Sequence, residues 1–228
     1  MTIRSLPESS SGAVIHLLAA RALRDFGDGF AAILLPVYLL ELGFSPLEIG
    51  VLATTALLGS ALLTFGIGLI GSRNDRQRLL LAGAMLMIAT GVAYATVDDF
   101  ALLLVVALAG TINPSAGSVS IFVPIEHAVL SDQASDQSRT RMFARYSLIG
   151  ALSAAFGALA AASPQFLAAA GLDELTAIKA MFVLYAAFGV AGCFLYSRIP
   201  GQPPMVSGTD GALGPSRHIV CRLAALFS

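Results

Sequence analysis

The residues best suited to chemistry lie in the first apolar run of the chain, at about 13–42. Arg21, Arg24, Asp25 and Asp28 fall where a membrane-spanning helix would cross the bilayer. On a helix they share one stripe roughly 100° wide. Arg21 and Asp25 are spaced i,i+4, as are Arg24 and Asp28, so each charge has a partner of opposite sign one turn away. Carboxylates in such a place can couple to protons or cations, and guanidinium groups can bind an anionic solute.

The energetic cost of these charges predicts where the stripe faces. One charged side chain at the bilayer centre costs about 2.5–3.5 kcal/mol on insertion scales. We therefore expect the stripe to face protein or a water-filled path. Asp25 and Asp28 are the candidate coupling carboxylates, and Arg21 and Arg24 are either their partners or the binders of an anionic solute. The alternative is an ion-pair cluster that only fixes helix packing.

The composition of the 228-residue chain is that of a membrane protein. Apolar residues make up 57% and charged residues 12%, whereas soluble domains carry about 25% charged residues. The net charge of −1, without a basic patch, argues against nucleic acid. Cys193 and Cys221 are far apart and suggest neither a disulfide framework nor a zinc site. We expect a lipid bilayer around the chain, with no metal and no cofactor.

Apolar stretches predict an all-α membrane protein with six transmembrane helices within residues 1–198. Each stretch is near the ~20 residues that cross a bilayer. A polar linker rich in Gly, Pro and Ser follows at 199–217. Residues 218–228 begin another apolar run and predict the start of a truncated seventh span. The six predicted spans are 13–42, 46–71, 79–97, 100–128, 141–163 and 176–198.

The distribution of arginine predicts the orientation. Arginines crowd the connectors after the second, fourth and sixth spans, whereas the other connectors are acidic. Basic residues mark the cytoplasmic side, so the N-terminus and residues 199–217 are predicted to be cytoplasmic. The expected location is the bacterial cytoplasmic membrane.

Two spans are predicted to be interrupted at corresponding places. Residues 26–29 (Phe-Gly-Asp-Gly) interrupt the first span, and residues 113–117 (Asn-Pro-Ser-Ala-Gly) interrupt the fourth. Matching breaks predict two inverted three-helix repeats with a binding site at mid-membrane. Asn113 could hydrogen-bond either a solute or a neighbouring helix.

Three further polar residues flank the cytoplasmic ends of the fourth and fifth spans. Glu126 and His127 could relay protons, but a solvated helix end is the favoured interpretation. Arg145 could pair with an acid of the first span or lie at the membrane interface. Small residues at three- and four-residue spacing from Gly150 to Ala161 predict close packing of the fifth span against its neighbours.

The connector at residues 71–78 (Gly-Ser-Arg-Asn-Asp-Arg-Gln-Arg) resembles the signature loop of the major facilitator superfamily. Residues 43–50 (Gly-Phe-Ser-Pro-Leu-Glu-Ile-Gly) are similar to the start of that family's second helix. The resemblance implies the amino-terminal six-helix half of a transporter. It also implies a carboxy-terminal six-helix half as partner and a small-molecule substrate.

The same resemblance implies roles for four loop residues. Gly71 would allow close helix approach, and Asp75 would hold the cytoplasmic side closed by contacting a helix of the other half. Arg76 and Arg78 would supply positive partners. Arg78 stands where the family pattern has glycine, so the loop departs from the pattern there.

The function expected from these features is secondary active transport of a small solute by alternating access, coupled to protons or ions. The alternative is a non-transporting six-span scaffold or dimerising module. An intramembrane protease would need a Ser–His pair inside the membrane, and Ser118 has no histidine in the sixth span to pair with. We therefore do not expect an enzyme.

Overall fold

A computed structural model of the chain describes residues 8–70, 75–112, 120, 122–133 and 139–199. Every regular element in these residues is helical, which agrees with the predicted all-α class. The helices are α1 (Glu8–Glu41), α2 (Pro46–Ile70), α3 (Arg76–Thr96), α4 (Phe100–Ala109), α5 (Phe122–Gln133), α6 (Arg139–Ala160), α7 (Ser163–Ala169) and α8 (Glu174–Ser197).

Short polar residues begin several of these helices. Ser45 and Glu48 form a reciprocal cap, because the Glu48 carboxylate accepts from the Ser45 amide (2.8 Å) while Ser45 Oγ accepts from the Glu48 amide (3.4 Å). Asp99 caps α4, and Asp173 caps α8. Each carboxylate satisfies an amide that the first helical turn leaves unpaired.

Within the described residues, four stretches are long and apolar enough to cross a membrane, as judged by length and composition. The structure therefore supports a membrane fold, but it does not confirm six spans. Helix α1 is long enough to cross, yet it carries the charged stripe, and α4 is apolar but short. The four stretches are Pro46–Ile67, Arg76–Thr96, Arg139–Ala169 and Glu174–Ser197.

The predicted interruption of the first span is wrong, because α1 runs without a break through residues 26–29. Gly27 and Gly29 serve close packing instead. A Cβ at Gly27 would press on the Tyr185 ring, and one at Gly29 would collide with the backbone of Ala154. The neighbouring helices hold these residues in helical geometry, which outweighs the weak helix propensity of glycine.

The fourth predicted span, 100–128, is two helices in the described residues. Helix α4 stops at Ala109, and α5 begins at Phe122. Gly110, the C-cap of α4, comes before the interruption expected at 113–117. Residues 113–119 lie outside the described part of the chain. The described residues therefore show no matched pair of helix breaks.

Helix α1 packs against α6 and α8, while α3 packs against α8 and α2 against α4. The contact between α1 and α6 is backbone to backbone, because a Cβ at Gly157 would meet the carbonyl of Phe26. The predicted close packing of the small-residue helix is confirmed. Small residues allow this approach, which gains dispersion contacts where water cannot drive association.

Two apolar clusters flank the charged stripe along α1. One contains Leu17 with Phe122 of α5, and the other contains Phe30 with Tyr38 and Phe182. Residues 21–28 of α1 lie between these clusters in sequence. The charges are therefore enclosed along the helix by apolar side chains on both sides, where water is excluded and pairing is strong.

Several predicted segments fall outside the described residues. They are Gly71, Asn113, the linker at 199–217 except Ile199, and the short run at 218–228.

Candidate functional site

Five charged side chains are buried among the described residues, and all five belong to one cluster. Their exposed fractions are 0–8%. Four come from the α1 stripe, and the fifth comes from α5. The expectation that the stripe turns toward protein is confirmed by this burial. The five residues are Arg21, Arg24, Asp25, Asp28 and Glu126.

The shortest ion pair of the cluster joins Arg24 to Glu126. Two guanidinium nitrogens of Arg24 donate to the two carboxylate oxygens, at 2.7 and 3.0 Å. This bidentate geometry is the strongest arrangement available to an arginine–carboxylate pair. It also corrects the expected partner of Arg24, which is Glu126 rather than Asp28. Helix α5 offers a carboxylate directly opposite, whereas a partner on the same helix would have to lie alongside.

Two tyrosine hydroxyls complete the coordination of Glu126. Tyr196 donates to Oε1 (2.7 Å), and Tyr146 donates to Oε2 (2.5 Å). Their oxygens in turn accept from Arg24 and Arg21, respectively. Every carboxylate oxygen of Glu126 thus has at least two donors, which offsets its complete burial.

Arg21 is held by Asp25 and by Tyr146. Its guanidinium lies 3.1 Å from Asp25, so the i,i+4 pair predicted there is confirmed. The same group lies 3.8 Å from the centre of the Tyr146 ring, which adds a cation–π contact. Gly150 of α6 leaves room for this pair, because a Cβ at that position would press on both side chains.

Asp25 joins the two arginines. One of its oxygens lies 3.1 Å from Arg21, and the other lies 3.5 Å from Arg24. Arg21 also lies 3.8 Å from Glu126. The two arginines and the two carboxylates of Asp25 and Glu126 therefore form a four-membered ionic cluster in which charges of opposite sign alternate.

Asp28 is not part of this four-membered ionic cluster. Its Oδ1 accepts a hydrogen bond from Tyr185 of α8 (2.9 Å), and the Tyr185 hydroxyl lies 3.0 Å from that of Thr111. No ion pair to Asp28 is present among the described residues. Gly27 leaves space for the Tyr185 ring beside α1. A carboxylate of this kind can accept a proton or a cation without breaking an existing pair.

The expectation that Glu126 marks a solvated helix end is wrong. The side chain is fully buried, because α5 turns it toward Arg24 rather than toward water. His127, its neighbour, is half-buried and lies edge-on to the rings of Phe143 and Tyr146.

The sequence analysis assigned no role to Tyr146, Tyr185 or Tyr196. The signal that could have found them is their place inside apolar spans, where a hydroxyl must find a polar partner. The partner itself is set by the packing of helices distant in sequence.

The structure does not bring Arg145 into the cluster. Arg145 is exposed on α6, whereas the next residue, Tyr146, is buried. Successive residues of a helix point about 100° apart, which explains why one is exposed and the other buried.

The described part of the 71–78 loop joins two helices. Asp75 caps α3 by accepting from the amide of Gln77 at 3.0 Å. Arg76 forms an ion pair with Asp132 of α5 and also donates to the carbonyl of Ala128 (3.3 Å). Arg78 is exposed. The loop thus ties the start of α3 to the end of α5.

A second ion pair lies at the opposite end of the bundle. Lys179 Nζ lies 2.8 Å from Asp98 Oδ1, and Tyr38 donates to the same oxygen at 3.0 Å. The hydrogen bond from Lys179, together with the one from Tyr38, holds the pKa of Asp98 below its ordinary value. This pair connects α8 to the α3–α4 connector.

Within the described residues, no group of three or more His, Cys, Asp or Glu side chains is arranged to hold a metal ion. The carboxylates of the cluster are instead matched to guanidinium and hydroxyl groups. These groups can bind charge and exchange protons.

The sequence model of the Major Facilitator Superfamily matches residues 17–226. A similar protein is the uncharacterized membrane protein YJR124C of Saccharomyces cerevisiae, which is 28% identical over 175 residues. That alignment covers 75% of this chain and 39% of the yeast protein. The chain therefore spans well under half the length of this relative. Because the family match covers nearly all of the apolar helices together with the buried charge cluster, the chain belongs to the Major Facilitator Superfamily of transporters.

Proposed function

We propose that this chain forms part of a secondary active transporter that moves a small solute by alternating access, coupled to protons or ions. The observation that carries the proposal is the enclosed set of five charged side chains, four on α1 at 21–28 and Glu126 on α5. Burying five charges in a membrane bundle is costly, and such residues most often mark a solute or ion path. Asp25 and Asp28 are the proposed coupling carboxylates, and Arg21 and Arg24 are the partners of Asp25.

The proposed architecture is the amino-terminal six-helix half, built as two inverted repeats. In such a repeat, the spans containing α1, α2 and α3 correspond to those containing α4, α6 and α8, respectively. The contact of α1 with α6 in one repeat order then corresponds to the contact of α4 with α2 in the other. Both contacts are present, and the contact of α3 with α8 maps onto itself. The carboxy-terminal half is the proposed partner, and the solute site lies between the two halves.

The proposed gate is the 71–78 loop on the cytoplasmic side, where the N-terminus and residues 199–217 also lie. Arg76 supports this role through its ties to Asp132 and Ala128, which hold α3 and α5 together as one body. Gly71, Asp75 and Arg78 are the other proposed gating residues. The proposed location is the cytoplasmic membrane of a bacterium.

Transport assays of the whole protein that contains this chain test the proposal. The measurement is solute-dependent proton or cation flux in proteoliposomes, with the Asp28→Asn variant compared with the unchanged protein. We expect the variant to lose coupled flux and its pH dependence. Glu41→Gln is the matched control, because Glu41 is an exposed carboxylate on the same helix.

Two outcomes would contradict the proposal. If Asp28→Asn leaves both the flux and its pH dependence unchanged, Asp28 does not couple transport. If the whole protein carries no flux with any solute class, the non-transporting scaffold is the better account.

A further inference from the structure

The buried cluster is not electrically balanced. It contains two guanidinium groups, Arg21 and Arg24, and three carboxylates, Asp25, Asp28 and Glu126. If all five groups are ionised, the cluster carries one excess negative charge. An uncompensated charge in an apolar interior is unfavourable, so the site favours the arrival of one positive charge.

The distribution of the ion pairs shows which carboxylate is in excess. Glu126 is held by both nitrogens of Arg24, and Asp25 lies within 3.5 Å of both arginines. Asp28 has no ion pair among the described residues and accepts only from Tyr185. The excess negative charge therefore resides at Asp28.

The terminal nitrogens of both arginines are engaged, whereas Nε of each is buried without a hydrogen-bond partner. Arg24 donates to Glu126 and Tyr196, and Arg21 lies against Asp25 and donates to Tyr146. An anion that bound the terminal nitrogens would have to displace a buried carboxylate, which would then lie unpaired, and it would add to the excess negative charge. The geometry thus disfavours the anion-binding role that the sequence left open for these two residues.

The groups facing Asp28 come from four helices or connectors. On its own helix, Arg24, Asp25 and Arg21 act on it through space. Helix α8 presents the Tyr185 hydroxyl, which contacts Thr111 in the segment after α4. From α5, Glu126 binds the guanidinium group of Arg24, which is therefore not paired with Asp28. The Tyr185 hydroxyl can rotate toward Thr111, which would free the carboxylate for a ligand.

We propose that Asp28, set beside Tyr185 and Thr111, takes up a single positive charge, either a proton or the cationic group of a solute, while the four-membered ionic cluster stays intact. This inference rests on the proposed function and narrows it, because it names one carboxylate and the charge of its ligand. Asp25 and Glu126 then act as positioning residues that hold the arginines in place.

The first measurement follows proton uptake in the full chain reconstituted in lipid. Infrared difference spectra between acidic and alkaline buffers report the carbonyl band of a protonated carboxyl group. We expect a pH-dependent band that disappears in Asp28→Asn. The band should persist in Asp98→Asn, which removes an exposed carboxylate outside the cluster. If Asp28→Asn does not fold, Asp28→Glu must shift the band, and an unshifted band would contradict the proposal.

The second measurement distinguishes a cationic solute from a proton. Binding of tetraethylammonium and of ethanesulfonate to the same protein is followed by equilibrium dialysis. If the ligand is a cation, we expect tetraethylammonium to bind and its affinity to fall about tenfold or more in Asp28→Asn, equivalent to about 1.4 kcal/mol. Asp98→Asn should leave that affinity unchanged.

The outcomes separate as follows. A band, or binding of the cation, that depends on Asp28 supports the inference, and the arm that responds identifies the ligand. If neither depends on Asp28, or if ethanesulfonate binds more tightly than tetraethylammonium, the inference is wrong. Uptake that depends on Asp28 in a protein without flux would contradict only the proposed transport. If the protein carries flux but neither the infrared band nor cation binding depends on Asp28, only this inference is contradicted.

Discussion

Nη1 of Arg24 lies 2.7 Å from Oε1 of Glu126, and the two residues are separated by 102 positions in the chain. This pair connects α1 to α5 across the interior of the bundle. Both side chains are at most 4% exposed, so neither can exchange its partner for water. Removing one partner leaves the other charge buried and alone, which is the most unfavourable state available to this site.

Glu126→Gln should destabilise the protein by about 3–5 kcal/mol, because Arg24 then loses its ionic partner in a buried setting. Thermal unfolding in detergent, followed by circular dichroism, measures the loss. Asp132→Asn is the matched control, since it also breaks an arginine–carboxylate pair but its side chain is 44% exposed. The control should cost about 1 kcal/mol or less. Equal losses of stability in both variants would show that burial does not make the Arg24–Glu126 pair more important than the exposed one.

Replacing both members of the pair should be less harmful than replacing Glu126 alone. The Arg24→Met/Glu126→Met double variant leaves no unpaired ion, and apolar side chains can fill the space. The comparison of the two single variants and the double variant gives the coupling energy. A double variant as unstable as the sum of the single variants would show that the two groups do not interact.

Gly150→Ala should destabilise the contact between α1 and α6, because the new methyl group would press on Asp25 and Arg21. Overpacking of this kind costs about 1–3 kcal/mol. Gly66→Ala on α2 is the control, since a Cβ there meets nothing within 4 Å. The control should be neutral or stabilising, because alanine is the better helix former. The measurement is the unfolding midpoint of each variant. If Gly150→Ala is as stable as the unchanged protein, the Arg21–Asp25 ion pair can move aside.

Gln77→Ala should loosen the end of α8. The Gln77 amide donates to the carbonyls of Tyr196 (3.2 Å), Ser197 (3.1 Å) and Ile199 (2.7 Å). Loss of these bonds should cost about 1 kcal/mol and should raise amide exchange near the α8 terminus. Hydrogen exchange read by mass spectrometry measures this. Gln165→Ala removes an exposed amide on α7 and should leave α8 unchanged.

Asp98 should make a small contribution to stability that depends on pH. Its pKa is lowered in the folded protein by the hydrogen bonds from Lys179 and Tyr38. A lowered carboxyl pKa stabilises the fold above the unfolded value, and that stabilisation is lost as pH falls through the folded value. The pair is half-exposed and screened, so the effect should be about 0.5 kcal/mol or less.

Acid unfolding of Asp98→Asn, compared with that of the unchanged protein, measures this step in stability, which is the loss expected as pH falls through the pKa of Asp98. The variant should lack it, and added salt should reduce it in the unchanged protein. A step of the same size in both proteins would assign it to another carboxylate.

Helix starts and the membrane class could be read from the chain because they depend on local chemistry. Ser45 with Pro46 begins α2, and Asp99 caps α4, as their residue types predict. Interruptions of a helix are harder to predict from sequence, because glycine at 27 and 29 weakens a helix only when nothing packs against it. In this bundle Tyr185 and Ala154 occupy those positions, so α1 continues.

The sequence by itself determined that Arg21, Arg24, Asp25 and Asp28 share one side of a helix, and that Arg21 pairs with Asp25. Both follow from helical periodicity, which acts over a few residues. Only the tertiary structure decided that Arg24 binds Glu126, that Tyr146 and Tyr196 complete that carboxylate, and that Asp28 faces Tyr185. The physical reason is that a buried charge takes whichever partner the neighbouring helices bring within hydrogen-bonding distance, and that choice depends on packing across the bundle.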